Sequence, residues 1–458
     1  MKVIICGAGQ VGFGIAERLA QEDNDVSMID TSEALIGTVT ETLDVRGYVG
    51  HGAHPDVLAK AGADQADMII AVTLHDEVNI VACEVAHALF SVPTKIARIR
   101  AQNYLKPEYA DLFSREHISI DVIISPEIEV GKMVLRRIAF PGADDIVRFA
   151  DDHIVMMAIE CMEDCPVVNT PLAQLSQLFP DLVATVVGVF RDGKAEAVRS
   201  QDQLAVGDLA YVICKKDHIQ RTLDLFGHEE KEAQRIVIAG GGNIGYYVAN
   251  AIEEKQPRTR IKIIERGRAR AEAISDQLRN AIVLHGSVLD QKILLEAGVQ
   301  DADLLVALTN DDQSNMLSAV MAKQLGCKSN LVLLNDLSFQ TLATSIGVEA
   351  YVDPRAVTVS RVLQHVRKGR IRSVYSVQKG GAEVIEAEAL ETSPLVGKTF
   401  RELDLPEGVR IGALYRDGVV LQPSGDMKIK ARDRVVLFAT LAAVRHVEQL
   451  FRVSIQYF

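Results

Sequence analysis

Tryptophan is absent from this chain of 458 residues, and aromatic residues make up only 5% of it. Proteins that bind single-stranded nucleic acid stack bases on aromatic side chains, so that class is disfavoured from the start. Positive charge is also scarce: 49 Lys and Arg stand against 62 Asp and Glu, a formal net charge of −13. Such an excess of acid repels DNA, RNA and anionic lipid, and no nucleic-acid partner is expected. No apolar run approaches the roughly 18 residues of a membrane span, and Met1 leads straight into an apolar strand with no room for a signal peptide. A cytoplasmic location is therefore expected. The six cysteines (Cys6, Cys83, Cys161, Cys165, Cys214, Cys327) never fall into C-x-x-C spacing. Only Cys161 and Cys165 are close, and no His or second pair completes a metal set, so free thiols in a reducing compartment and no metal are expected.

What the chain does have is 48% hydrophobic and 24% charged residues, the make-up of a globular protein with ample core. It also carries one stretch twice: a short apolar strand, a glycine loop and an amphipathic helix. The first loop is Gly7, Ala8, Gly9, Gln10, Val11, Gly12, after Val3-Ile4-Ile5-Cys6; the second is Gly240, Gly241, Gly242, Asn243, Ile244, Gly245, after Ile236-Val237-Ile238-Ala239. Both have the G-x-G-x-x-G spacing, in which the first glycine makes a tight turn, the second admits a pyrophosphate and the third lets helix close on strand. Phosphates would then meet the free N–H groups and the positive dipole end of the helix. A second apolar run follows each loop and ends in a carboxylate, Asp30 or Glu265. An acid there accepts hydrogen bonds from ribose hydroxyls and repels a 2′-phosphate, so NAD(H) or another adenine nucleotide is expected rather than NADP(H). The competing reading is a glycine-rich turn with no ligand.

Strands alternate with helices from Met1 to about Ile124, which implies right-handed crossovers and a parallel sheet covered on both faces. Ser125-Pro126 starts a linker helix, and beyond it short strands and turns take over, with Arg191-Asp192-Gly193 a hairpin signal. After a polar linker, Gly227 to Ala233, the programme restarts. The stretch from Ala66 to Asn79 matches that from Ala302 to Asn315 at a constant offset of 236, and Arg191-Asp192-Gly193 recurs as Arg416-Asp417-Gly418 at 225. Gly207-Asp208 recurs as Arg432-Asp433 at the same 225. The expected fold is α/β: a tandem duplication of a Rossmann-like doubly wound parallel-sheet domain followed by a small α+β domain. The expected boundaries are 1–124, a linker helix over 125–142, 143–227, then 234–352, a linker helix over 353–371, and 372–458. The second linker helix ends in His365-Val366-Arg367-Lys368-Gly369-Arg370, read either as a docking patch or as helix capping with ordinary solvation.

Thr73-x-x-Asp76-x-x-Asn79 and Thr309-x-x-Asp312-x-x-Asn315 fall where the fourth strand of each sheet meets its helix. That edge faces the ligand crevice of an open α/β sheet, so these residues are expected either to line the nucleotide site or to cap helices through Asp76 and Asp312, or both. Arg98 and Arg100 close the fifth strand, where guanidinium groups reach phosphates. Their counterparts are Leu334 and Asp336, so the two sites are expected to be chemically unequal; Arg266, Arg268 and Arg270 either compensate or form a solvated helix face. His51 and His54 are the best acid–base candidates, but Ser287 and Asp290 replace them in the second half and loop histidines without a catalytic role are expected.

Taken together, Gly7 to Gly12 with Asp30, Ala66 to Asn79, Ala97-Arg98-Ile99-Arg100, Gly240 to Gly245 with Glu265, Ile282-Val283-Leu284-His285-Gly286 and His365 to Gly369 resemble, over the full length, the RCK (or KTN) family of regulators of Trk-type potassium uptake. Family second halves often keep an Arg near Asn335-Asp336, which this chain lacks. The resemblance implies a nucleotide-sensing subunit and not a catalyst. It implies a homo-tetrameric ring, peripherally attached to the inner face of the cell membrane through a potassium-translocating Trk membrane subunit. NAD(H) or ATP/ADP would bind and move the ring about the helices starting at Pro126 and Pro354. The alternative function is an NAD-dependent oxidoreductase built from two fused subunits.

Overall fold

A computed structural model describes residues 1–114, 117–366, 371–377 and 381–451. The chain divides into two compact units, and each draws on both halves of the duplication: Met1–Leu135 with Ala233–Val366, and Arg136–Glu232 with the chain beyond Val366.

In the first half, β1 (Lys2–Cys6), β2 (Asp25–Asp30), β3 (Arg46–Val49), β4 (Met68–Ala71), β5 (Thr94–Arg98) and β6 (Val122–Ile124) form a sheet in the order β3-β2-β1-β4-β5-β6. Its pairs are all parallel. Helices α1 (Gln10–Gln21), α2 (Glu33–Thr42), α3 (Pro55–Lys60), α4 (Asp76–Phe90) and α5 (Pro126–Ala139) follow the strands. Ile4, Ile5 and Cys6 are buried in succession, as continuous apolar runs require when helices cover both faces. Next come β7 (Asp145–Phe149), β8 (Ile154–Glu160), α6 (Leu172–Leu178), β9 (Ala184–Arg191), β10 (Lys194–Ala197), β11 (Leu209–Lys215) and α7 (Ile219–Leu225), the strands paired antiparallel as β10-β9-β11-β8-β7.

The second half repeats both sheets. Strands β12 (Arg235–Ala239), β13 (Arg260–Glu265), β14 (Ile282–His285), β15 (Leu304–Ala307), β16 (Ser329–Leu333) and β17 (Ala350–Val352) take the order β14-β13-β12-β15-β16-β17. They alternate with α8 (Asn243–Lys255), α9 (Arg268–Gln277), α10 (Gln291–Glu296), α11 (Asp312–Gln324), α12 (Gln340–Ser345) and α13 (Pro354–Val366). The closing sheet has the order β18-β19-β22-β20-β21, from β18 (Ile371–Val377), β19 (Ala382–Glu388), β20 (Val409–Arg416), β21 (Val419–Leu421) and β22 (Arg434–Thr440), and α14 (Leu441–Leu450) ends it.

Within the first unit the halves exchange helices. Helix α13 packs on α1, and Val362, Leu363 and Val366 join the core of the first sheet. Small residues make the approach possible. A Cβ on Gly14 would lie 3.1 Å from Val359, and one on Gly131 of α5 only 2.3 Å from the Tyr247 ring of α8. The basic run at the end of α13 lies outside the described residues from Arg367 to Arg370. Its first member, His365, is not a solvated cation: its Nε2 is buried without a hydrogen-bond partner, and burial and Arg361 hold its pKa below the ordinary value against the pull of Glu129. Within the polar linker His228 is buried, and its Nε2 lies 3.0 Å from the Glu160 carbonyl.

The recurring Arg-Asp-Gly turns have a shared purpose. Asp192 and Gly193, like Asp417 and Gly418, all have positive φ, the backbone of a two-residue hairpin loop. The arginine before each turn makes a two-pronged bond to the other recurring residue. Arg191 donates through Nε to Asp208 at 2.7 Å, and Arg416 to Asp433 at 2.7 Å and 2.6 Å. Asp433 is 1% exposed, so Asp433→Ala strands a guanidinium and is expected to cost about 3 kcal/mol in a denaturant titration. Burial raises the Asp208 carboxyl, but Arg191 and the Ala205 N–H outweigh it and hold it below the usual range. That contribution is present above about pH 4, the unfolded value, and is lost as pH falls through the lower folded one.

Candidate functional site

In each parallel sheet the connections run in opposite directions from β1 and β4, or from β12 and β15, and the crevice opens at the carboxyl ends of those strands. The glycine loops sit there. Gly7 and Gly240 have φ of 111° and 108°, a turn closed to most side chains. A Cβ on Gly12 would stand 1.8 Å from the Gly7 oxygen, and one on Gly245 2.0 Å from that of Gly240. Gly9 and Gly242 are different: their φ values are ordinary, and an added Cβ would meet nothing within 4 Å. Neither folding nor packing asks for glycine there, whereas a phosphate resting on the backbone does. Helices α1 and α8 begin with Gln10-Val11 and Asn243-Ile244, and the first helical bonds, Phe13 N–H to the Gly9 oxygen and Tyr246 N–H to the Gly242 oxygen, leave the earlier N–H groups for an anion.

The acids meet these loops directly. Asp30 accepts from the N–H of Ala8 at 2.7 Å and of Ser32 at 2.9 Å; Glu265 accepts from Gly241 at 2.8 Å and Gly267 at 2.7 Å. An ionised carboxylate has about four acceptor positions, so each keeps some for a pair of hydroxyl donors. The residues fit a ribose diol, and their carboxylates repel a 2′-phosphate.

Thr73, Asp76 and Asn79 form a latch at the crevice rim. Asn79, fully buried, accepts from the Thr73 N–H at 2.8 Å and hydroxyl at 2.7 Å, and donates to the Arg98 carbonyl at 2.9 Å. The Asp76 carboxylate accepts from the N–H groups of Arg100 at 3.0 Å and Ala101 at 2.8 Å. Thr309, Asp312 and Asn315 repeat the pattern, with Asp312 accepting from Asn335 and Asp336. The capping alternative is therefore corrected. His75 and Asp311 occupy the cap positions, while Asp76 and Asp312 are the first helical residues and tie down the loop after the neighbouring strand.

That latch aims Arg98 and Arg100. Arg98 Nε is buried with no hydrogen-bond partner, and burial and Arg100 lower its pKa against Glu127 and Asp76. A buried guanidinium donor without a partner is costly and fits an anionic ligand. Arg100 is engaged through Nε with Glu127 Oε1 at 2.9 Å, and Glu127 is 7% exposed with Oε2 buried and unpartnered. Glu127 lies in the first turn of α5, where an acid is ordinary, so its sequence position alone does not mark it as part of a site. One signal was available: the residue after the linker proline is Arg355 in the second half, reversed in sign, as Arg100 is reversed to Asp336.

The second crevice differs as expected. Leu334 is buried where Arg98 stands, and Asp336 accepts from Ser338. Arg268 pairs with Glu272 on the helix surface, but Arg270 leaves that face, donating to the Gly241 carbonyl at 2.8 Å and lying over the Tyr246 ring. His51 and His54 stack on each other at 4.6 Å, with the His51 ring accepting from the Ala53 N–H, which explains them as loop structure.

Models of known families match the chain in pairs: the TrkA-N domain over residues 3–126 and 236–354, and the TrkA-C domain over 156–227 and 384–452. Over 458 residues it is 59% identical to the Trk system potassium uptake protein TrkA of Azorhizobium caulinodans, with 100% of both chains covered. The protein of the same name from Halomonas elongata is 37% identical, again with 100% of both covered. A solved structure described as the GsuK channel bound to NAD shares the fold at 17% identity and a TM-score of 0.61, over 98% of this chain and 78% of that one. Doubled sheets, doubled glycine loops and full-length identity lead to one placement: the chain belongs to the TrkA family of Trk system potassium uptake proteins.

Proposed function

We propose that the chain is the nucleotide-sensing regulatory subunit of a Trk-type potassium uptake system, and that its first crevice is the primary site for NAD(H) or ATP/ADP. The observation that carries this reading is the conjunction at one sheet edge of Gly9 open to a ligand, Asp30 held at the glycine loop, and a half-buried Arg98 whose Nε is buried without a partner. Gly7 to Gly12 take the pyrophosphate, Asp30 the ribose, and Arg98 the remaining negative charge. The second crevice keeps Gly240 to Gly245 and Glu265 but not the arginine, and holds nucleotide more weakly.

The nucleotide acts as an effector, with no bond made or broken. Occupancy changes the shape of a homo-tetramer seated on the cytoplasmic face of a potassium-translocating membrane subunit, whose Lys- and Arg-rich loops attract a partner of net charge −13. Coupling requires that nucleotide bind two arrangements with different affinity. The exchange of helices between the halves supports such coupling, because a shift at the α1 glycine loop is felt by α13, packed on it from the other half. Among the described residues, no helix is long and apolar enough to cross a membrane. Calorimetric titration of the purified chain with NADH tests the site. Saturable binding is expected, weakened roughly tenfold or more by Asp30→Ala, with no loss of absorbance at the nicotinamide band when metabolites are added. Unchanged affinity in the variant removes Asp30 from the site, and steady cofactor consumption favours the oxidoreductase alternative.

A further inference from the structure

The second unit contains a cavity of about 80 Å³, room for several water molecules, that the nucleotide reading leaves unused. Its walls are apolar, built from Leu172, Leu175, Phe179, Leu182 and Phe226 of the first small domain. Its polar end is formed by Thr185, Ser200 and, from the second small domain, Arg410. Arg410 donates weakly to Ser200 Oγ at 3.3 Å, while its Nε and the Thr185 hydroxyl are both buried with no partner. Asp202, whose charge acts on Arg410, is engaged by the Arg199 N–H at 2.6 Å. Two unsatisfied donors on side chains that line an apolar chamber are a cost that a fold carries when something else completes them.

We infer that this cavity binds a small carboxylate with a short apolar tail, the Arg410 and Thr185 side chains turning so that Nε and the hydroxyl donate to the carboxylate while the tail lies among the leucine and phenylalanine side chains. Thr185 and Arg410 occupy equivalent positions of β9 and β20, at the offset of 225 that relates the two small domains. Duplication followed by divergence has thus placed a cation at this position in the second small domain and a threonine in the first. The inference does not depend on nucleotide binding at the glycine loops.

The test titrates the full-length chain with acetate, butanoate, hexanoate and octanoate, and with butanol and hexanol, by ligand-observed NMR. Affinity for the carboxylates is expected to rise about fourfold per methylene until the tail outgrows the chamber. The alcohol of equal length is expected to bind at least about tenfold more weakly, and Arg410→Gln to remove that preference. Thr185→Val is expected to weaken the carboxylates about fivefold and to leave the alcohols unchanged. Equal affinity of carboxylate and alcohol for the wild-type chain overturns the inference, as does failure of every carboxylate to bind at millimolar concentration. A carboxylate preference that survives in folded Arg410→Gln does so too.

Discussion

Gly12→Ala is expected to damage the fold and spare nothing, whereas Gly9→Ala is expected to leave the fold intact and abolish most nucleotide affinity. The two glycines are three residues apart and serve opposite masters. At Gly12 the new Cβ would stand 1.8 Å from the Gly7 carbonyl oxygen, a backbone atom that moves only if β1 and α1 separate. The cost is about 3 kcal/mol, read as a lower denaturation midpoint with an unchanged slope. At Gly9 the methyl group would enter open space and the backbone is already extended, so the midpoint stays where it was. The same methyl would occupy the place a pyrophosphate needs, pushing it off the α1 N–H groups. Losing one or two charge-assisted bonds of that kind lowers affinity about a hundredfold. A Gly9→Ala chain that binds NADH as the wild type does would remove the phosphate from the glycine loop.

Arg98→Leu is the second large effect, and the duplication has already shown that the fold accepts it, since Leu334 is buried at the equivalent position. Without ligand the variant is expected to be as stable as the wild type or more so, because a half-buried arginine with a buried, unpartnered Nε is exchanged for an apolar side chain. Nucleotide affinity at the first site is expected to fall about a hundredfold, toward that of the second. Chemical denaturation and calorimetry on the same samples separate the two effects. Reduced stability with full affinity would make Arg98 a structural residue.

Much of this was legible in the sequence because its causes are local. A glycine loop between an apolar strand and an amphipathic helix has one mechanical meaning, and the acid some 20 residues on has another. The offset of 225 was legible as a repeat, but its reason was not: Arg191 and Asp208 are far apart in sequence and meet only when β9 pairs with β11. Glu127 was hidden for the same kind of reason. A helix acid in the first turn already has an explanation, so nothing local calls for Arg100 as its partner. The exchange of α13 onto α1 is farther still from any local signal, because periodicity tells which face of a helix is apolar and not which half of the chain covers it. Asp76 shows the converse case, in which one of two open readings gave way. Its place at a helix start suggested a cap, yet the carboxylate was free to turn outward and gather the N–H groups after β5.

The most direct measurement is potassium flux through the membrane partner reconstituted with this chain, taken as NADH and ATP are titrated against wild type and Arg98→Leu. Expected is a saturable change of flux with nucleotide in the wild type, shifted about a hundredfold higher in concentration by the substitution, with the added NADH recovered unchanged. Flux that ignores both nucleotides while the complex remains assembled would contradict a nucleotide-driven gate.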